Sequence, residues 1–196
     1  MTTEPIDPSR TALLLLDFQN GIVARIDDHA PLLERAAAAL AAAREHGLTI
    51  AHVRVAFADG ETPAGGMGRR INTPQARALM HADAPGTQLD ERVRPQEGEI
   101  VVRKTRVGPF GTTDLHEQLQ ARGIDTLVIG GIATSGAVLS AVRDGHDRDY
   151  RLIVVDDLVA DPRPGIHELL IEHIIPAQAE VISTTELDTL LGEAHT

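Results

Sequence analysis

Cysteine is absent from the 196-residue chain. Its absence excludes a disulfide framework, a thiolate metal site and a thiol nucleophile. Tryptophan is absent too, and the aromatics reduce to Phe18, Phe57, Phe110 and Tyr150, so the core must be aliphatic. Positive charge is scarce: 18 basic residues stand against 29 acidic ones, for a net charge of −11. That balance argues against a nucleic-acid partner, which needs clustered cations to replace counterions. Apolar runs are short. Residues 12–16, 36–43 and 126–139 all fall below the ~20 positions of a spanning helix, so no membrane span is expected. The first ten residues, MTTEPIDPSR, hold no apolar segment of signal-peptide type. The expectation is a cytoplasmic, soluble, single domain over residues 1–196 that handles a small molecule. Its 42 % of apolar residues suffice for a core.

Lysine is nearly missing as well. Seventeen of the basic residues are arginine and one is Lys104. Arginine stays protonated in proteins, whereas lysine is a compact charge whose proton affinity burial can tune. Lys104 is therefore a candidate for chemistry, with a chance surface position as the alternative.

What is present alternates. The continuous apolar run at 11–16 reads as a strand covered on both faces, and 48–57, 99–103, 126–130, 152–155 and 179–182 read as further strands. Between them, helices are predicted over 31–46, 73–81, 113–122, 135–146, 164–175 and 185–191. Pro31 and Pro164 mark two starts, and Gly47 and Gly123 mark two stops. Residues 58–70 form a glycine-rich loop, and residues 84–97 are polar and loop-like. The predicted architecture is α/β: a three-layer, Rossmann-like fold with a six-stranded, mostly parallel sheet and helices on both faces.

Ligands of such sheets bind beyond the carboxyl ends of the strands. Three features fall there: Asp17 after the first strand, Lys104 after the third, and the turn Gly130-Gly131-Ile132-Ala133-Thr134-Ser135-Gly136 after the fourth. Each has a bland alternative: a helix cap, a surface lysine, a tight turn. The turn lacks the dinucleotide pattern G-x-G-x-x-G, and Ser135 lacks the flanking glycines of a nucleophile elbow.

Taken together, LLLLDFQNGIV (13–23), VVRKTRVGPFGTTDL (101–115), GGIATSGAVLSAVRDG (130–145) and VDDLVAD (155–161) followed by His167 resemble the isochorismatase-like hydrolase superfamily over residues 10–190. The resemblance implies a hydrolase in which Asp17 and Lys104 are two members of a catalytic triad. The third, the family's cysteine, falls at Ala137, so the thioester route of the amidase members is closed. Isochorismatases also lack the cysteine and hydrolyse a vinyl ether by proton delivery and water attack. The resemblance makes isochorismate the best-motivated substrate and Asp17 and Lys104 the acid–base pair. It implies a cis peptide at Ile132–Ala133, aiming the N–H groups of Ala133 and Ala137 into the pocket. Phe18, Gln19, Arg106, Phe110, Ile132, Ala133 and Thr134 are the expected substrate-binding residues.

This chain reads Lys104-Thr105-Arg106-Val107-Gly108-Pro109-Phe110 where many members read K-x-R-x-S-A-F, so the serine contact is missing. Arg69, Arg70 and Arg106 make a local cationic spot suited to a carboxylate. No metal or other cofactor is expected. His52 lies inside a strand, and His167 and His173 do not share a helix face. Two alternatives stay open: a non-catalytic small-molecule-binding pseudoenzyme, and an amidase whose cysteine Ala137 has replaced. A homodimer or homotetramer is expected, with 31–46 and 135–147 as candidate interfaces.

Overall fold

A computed structural model describes residues 4–61 and 65–193. Residues 62–64, inside the expected glycine-rich loop, lie outside the described residues, as does the side chain of Arg70.

Six strands form one sheet in the order β3-β2-β1-β4-β5-β6, and every adjacent pair is parallel. They are β1 (Thr11–Leu16), β2 (Thr49–Val55), β3 (Ile100–Lys104), β4 (Thr126–Ile132), β5 (Arg151–Ala160) and β6 (Glu180–Ile182). The larger helices are α2 (Ala30–Glu45), α6 (Leu139–His146), α7 (Ile166–His173) and α8 (Thr184–Glu193). Shorter ones are α1 (Asn20–Val23), α3 (Gly66–Ile71), α4 (Pro74–Leu79) and α5 (Leu115–Gln120). Among the described residues no helix is long and apolar enough to cross a membrane.

β1 shows why the apolar runs do not alternate. All six of its residues are buried, because both faces of the sheet are covered. Leu13 and Leu15 point into one core with Leu33, Leu40 and Leu187 of α2 and α8. Leu14 and Leu16 point into the other with Leu115, Leu119 and Val142 of α5 and α6. One strand therefore anchors two cores, and the crossovers on either side of it open a crevice between β1 and β4.

Four expectations change. The strand expected over 152–155 runs from Arg151 to Ala160, because the register against β4 jumps from Ile129↔Val154 to Gly131↔Val159. The jump is an irregularity in which β5 carries extra residues, Asp156 and Asp157 among them. Asp157 accepts from the Thr184 N–H at 2.9 Å and from its hydroxyl at 2.7 Å, capping α8. The helix expected from residue 135 opens as a π-turn, Thr134–Val138. Polar residues 84–97 hold two short 3-10 turns, Pro85–Thr87 and Glu91–Val93, and residues 66–71 of the expected loop are helical.

Gly131 lets β4 close on β1. A Cβ there would stand 2.5 Å from the Leu16 Cβ and 2.7 Å from its carbonyl oxygen, which is backbone and cannot step aside. Gly192, exposed in α8, has nothing within 4 Å of such an atom. Gly131→Ala is expected to destabilise the chain by about 1–3 kcal/mol or more. Gly192→Ala should be neutral or stabilise by about 0.5 kcal/mol. Thermal or urea unfolding of both variants checks the contrast.

Candidate active site

The backbone reaches its first unusual conformation where β1 ends. Asp17 adopts φ 57°, a left-handed geometry uncommon outside glycine. Its N–H donates to the Val53 carbonyl at 2.8 Å, and its carbonyl accepts from the Gln19 N–H at 2.7 Å. Gln19 fixes the turn from the other side. Its side-chain amide donates to the Val55 and Thr87 carbonyls at 2.9 and 2.8 Å, and its oxygen accepts the Val55 N–H at 2.7 Å. The strand end is thus pinned to β2, and the Asp17 side chain is turned toward the end of β3.

Lys104 closes β3 opposite Val55. Its Nζ lies 2.7 Å from Asp17 Oδ2 and donates to the Val107 carbonyl at 2.6 Å. Both side chains are withdrawn from water: Asp17 is 5 % exposed and Lys104 1 %. Asp17 Oδ1 is buried with no hydrogen-bond partner. Burial pushes the Asp17 carboxyl up to about 6, with the charge and hydrogen bond of Lys104 pulling the other way.

β4 supplies the facing wall. The peptide Ile132–Ala133 is cis, as the resemblance implies. The π-turn that follows is clamped by Asp161, whose side chain is fully enclosed. Asp161 accepts the Ser135 N–H at 2.9 Å and the Arg163 N–H at 3.1 Å, and also bonds the Ser135 hydroxyl. Burial alone would raise the Asp161 carboxyl, but these bonds outweigh it and hold it below the ordinary range.

Between these elements lies a cavity of about 170 Å³. Asp17, Lys104, Ala137, Arg106, Ile132 and Ala133 all border it, so the structure brings together six of the ten residues singled out from sequence. The other four are elsewhere. Phe18 is wholly buried in the α2-side core. Gln19 has its amide engaged with backbone, as above. Phe110 stacks on Tyr150 at 6.1 Å under the Arg148 guanidinium. The Thr134 hydroxyl is 3.1 Å from His167 Nδ1. Ile22, Arg25, Val55, Val107 and Pro162 complete the lining, and the sequence reading did not single them out. The only available signal was position: residues 20–25 directly follow the first strand end, but α1 is too short to show a period.

The metal question turns on donors. Among the described residues no group of three His, Asp or Glu side chains could hold an ion. His52 is buried and contacts Glu99 at 3.0 Å, a bond shared with Arg44.

The isochorismatase domain family matches residues 11–186. The chain belongs to the isochorismatase family. Its family relatives include a maleamate amidohydrolase of Pseudomonas putida, 30 % identical over 89 % of this chain and 83 % of that protein. A ureidoacrylate amidohydrolase of Methylorubrum extorquens is 34 % identical over 82 % of this chain and 75 % of that protein. Among solved structures, a cysteine hydrolase from Pseudomonas syringae pv. phaseolicola superposes with a TM-score of 0.87 at 25 % identity, covering 98 % of this chain and 97 % of that one.

In this isochorismatase-family chain the ion pair makes a stability prediction. The folded carboxyl of Asp17 lies above its ordinary 3.8. Its ionisation therefore opposes folding, and stability falls as pH rises through about 6. Lys104→Met removes the force that favours the ionised form, so the loss should deepen and its window should move upward. At pH above neutrality we expect a cost of about 3–5 kcal/mol. The cost should shrink in mild acid, where Asp17 takes up a proton. Urea unfolding of both chains across this pH range measures it.

Proposed function

We propose that this chain is a hydrolase of the isochorismatase family that acts on a small carboxylate-bearing molecule through Asp17, Lys104 and water, without a covalent intermediate. The observation that supports this reading is the buried Asp17 carboxyl at the border of the cavity, with Oδ1 lacking a hydrogen-bond partner and Oδ2 held by Lys104.

The chemistry follows from the two oxygens. Lys104 fixes Oδ2, and Oδ1, which lacks a hydrogen bond, is the oxygen we assign to the substrate. A carboxyl pushed up to about 6 retains enough proton near neutrality to act as a general acid. Protonated Asp17 delivers its proton to the methylene carbon of an enol ether, and the ether carbon becomes an oxocarbenium ion. Water adds to that carbon and returns a proton to the Asp17 carboxylate. The hemiketal then breaks its C–O bond, giving a carbonyl compound and an alcohol. Lys104, already charged, offsets the carboxylate formed in the first step and the negative charge of the substrate.

Ala137 is central to the choice of mechanism. It borders the cavity, occupies the position the resemblance assigns to the family's cysteine, and carries no nucleophile. No cysteine exists elsewhere in the chain. A thioester is therefore closed to it, although two of its relatives are named as amidohydrolases. The same residue supports a second reading, a binding protein that has kept the cavity and lost the chemistry.

A substrate panel of isochorismate, nicotinamide, simple amides and ureas separates the two. We expect turnover of the enol ether. Asp17→Asn should lower it by about 10²–10⁴-fold. In the unmodified chain kcat/KM should fall about tenfold per pH unit above pH of about 6. Ala137→Cys should gain amide hydrolysis. Full turnover by Asp17→Asn would overturn the acid–base assignment. Tight binding of a panel member with no product over long incubation would favour the binding protein.

A further inference from the structure

The loop that leaves β3 holds one end of the ion pair. The Val107 carbonyl accepts from Lys104 Nζ at 2.6 Å. Yet Val107 is 46 % exposed, whereas Lys104 is 1 % exposed. A carbonyl on so exposed a loop can hold a buried ammonium only if something else fixes the loop. Its own bonds go part of the way. The Thr105 N–H donates to the Thr112 hydroxyl at 3.1 Å, and the Thr113 hydroxyl donates to the Pro109 carbonyl at 2.5 Å. The Pro109 ring fixes φ at the centre of the segment.

The loop is also laid along α6 and the turn before it. A Cβ at Gly136 would stand 3.8 Å from Val107 Cγ1. One at Gly108 would stand 3.4 Å from the Ser140 Cβ and 3.3 Å from Asp144 Oδ2, so glycine there permits the close approach. Asp144 pairs with Arg148 at 3.2 Å, and the Arg148 guanidinium carbon lies 5.1 Å from the centre of the Phe110 ring. Positions 136, 140, 144 and 148 recur every four residues, the spacing that puts side chains on one face of a helix. Phe110 ends this row. Its ring is buried in the α6-side core and stacks on Tyr150 at 6.1 Å, with 13° between the planes. The Tyr150 hydroxyl is itself fixed, 2.9 Å from His116 Nδ1 and accepting from Gln120 Nε2 at 3.3 Å.

We infer that Phe110 is a positioning residue for Lys104: held by Tyr150 and Arg148, it lays residues 105–110 along α6 and so keeps the Val107 carbonyl on the ammonium. Phe110 acts through the loop and not on the ligand. Its bearing on chemistry rests on the reading of Asp17 and Lys104 as the reacting pair.

Lys104 is the only lysine of the chain. Protein grown on lysine labelled with nitrogen-15 at the ε position therefore gives one side-chain signal, which NMR of the full chain reads directly. Phe110→Leu should move that signal toward the position of free lysine in the same buffer, because Nζ loses its carbonyl. Arg148→Gln uncovers the ring without opening the core and should move the signal in the same direction; it decides the matter if Phe110→Leu does not fold. Leu190→Ala, in the α2-side core, loosens the fold away from the loop and should leave the signal in place. An unmoved signal in folded Phe110→Leu, or in Arg148→Gln where the leucine variant does not fold, would overturn the inference. An equal displacement in Leu190→Ala would overturn it too, since any loss of packing would then suffice. The signal needs no turnover, whereas the catalytic reading fails through full turnover by Asp17→Asn, so the two failures are distinguishable.

Discussion

The carboxylate of Asp17 and the ammonium of Lys104 meet at 2.7 Å with almost no access to water. Removing two ions from water is expensive, and their mutual attraction repays it only when the geometry is good and the remaining polar atoms find partners. Lys104 has a further partner in the Val107 carbonyl. Asp17 leaves one oxygen without any. The lysine side of the pair thus has a second partner, whereas the aspartate side leaves one oxygen without a hydrogen bond. Burial raises the affinity of this carboxyl for a proton against the pull of Lys104, and Asp17 borders a cavity. A surface ion pair of the same length would have neither property.

The rest of the fold holds this pair in place. Three strand ends converge on it. Each is fixed by backbone bonds: Asp17 and Gln19 to β2, Lys104 through its register with Val55, and the π-turn through Asp161. Gly131 lets β4 approach β1 closely enough for Ala133 and Ala137 to face Asp17. The irregular pairing of β5 carries the chain on to Asp161 and Pro162, so one departure from ideal sheet geometry supplies both a clamp and a wall.

Much of this was legible in the amino-acid order. All six strands were located, β1 most plainly, because a strand covered on both faces is apolar at every position. The lone lysine and the aspartate after the first run marked the strand ends that matter. Other parts were hidden for physical reasons. Asp156 and Asp157 interrupt an apolar run and so conceal that β5 continues past them; their use is tertiary, in capping α8. Gln19 at a strand end reads as a ligand contact, but its amide closes the backbone instead. Phe18 and Phe110 next to polar residues do not reveal whether a ring faces a core or a cavity. Arg25 follows a helix of one turn, which carries no periodic signal. For Asp157, Gln19 and Phe110 the deciding contact joins residues far apart in the chain.

A carbon-13 NMR titration of the Asp17 carboxyl group, assigned by comparison with Asp17→Asn, reads the proton affinity on which the chemistry depends. The account predicts a midpoint near 6 rather than the ordinary 3.8, and a midpoint that climbs further in Lys104→Met. A midpoint at or below 3.8 would mean that Lys104 holds the carboxylate fully ionised at neutral pH. Asp17 would then have no proton to give.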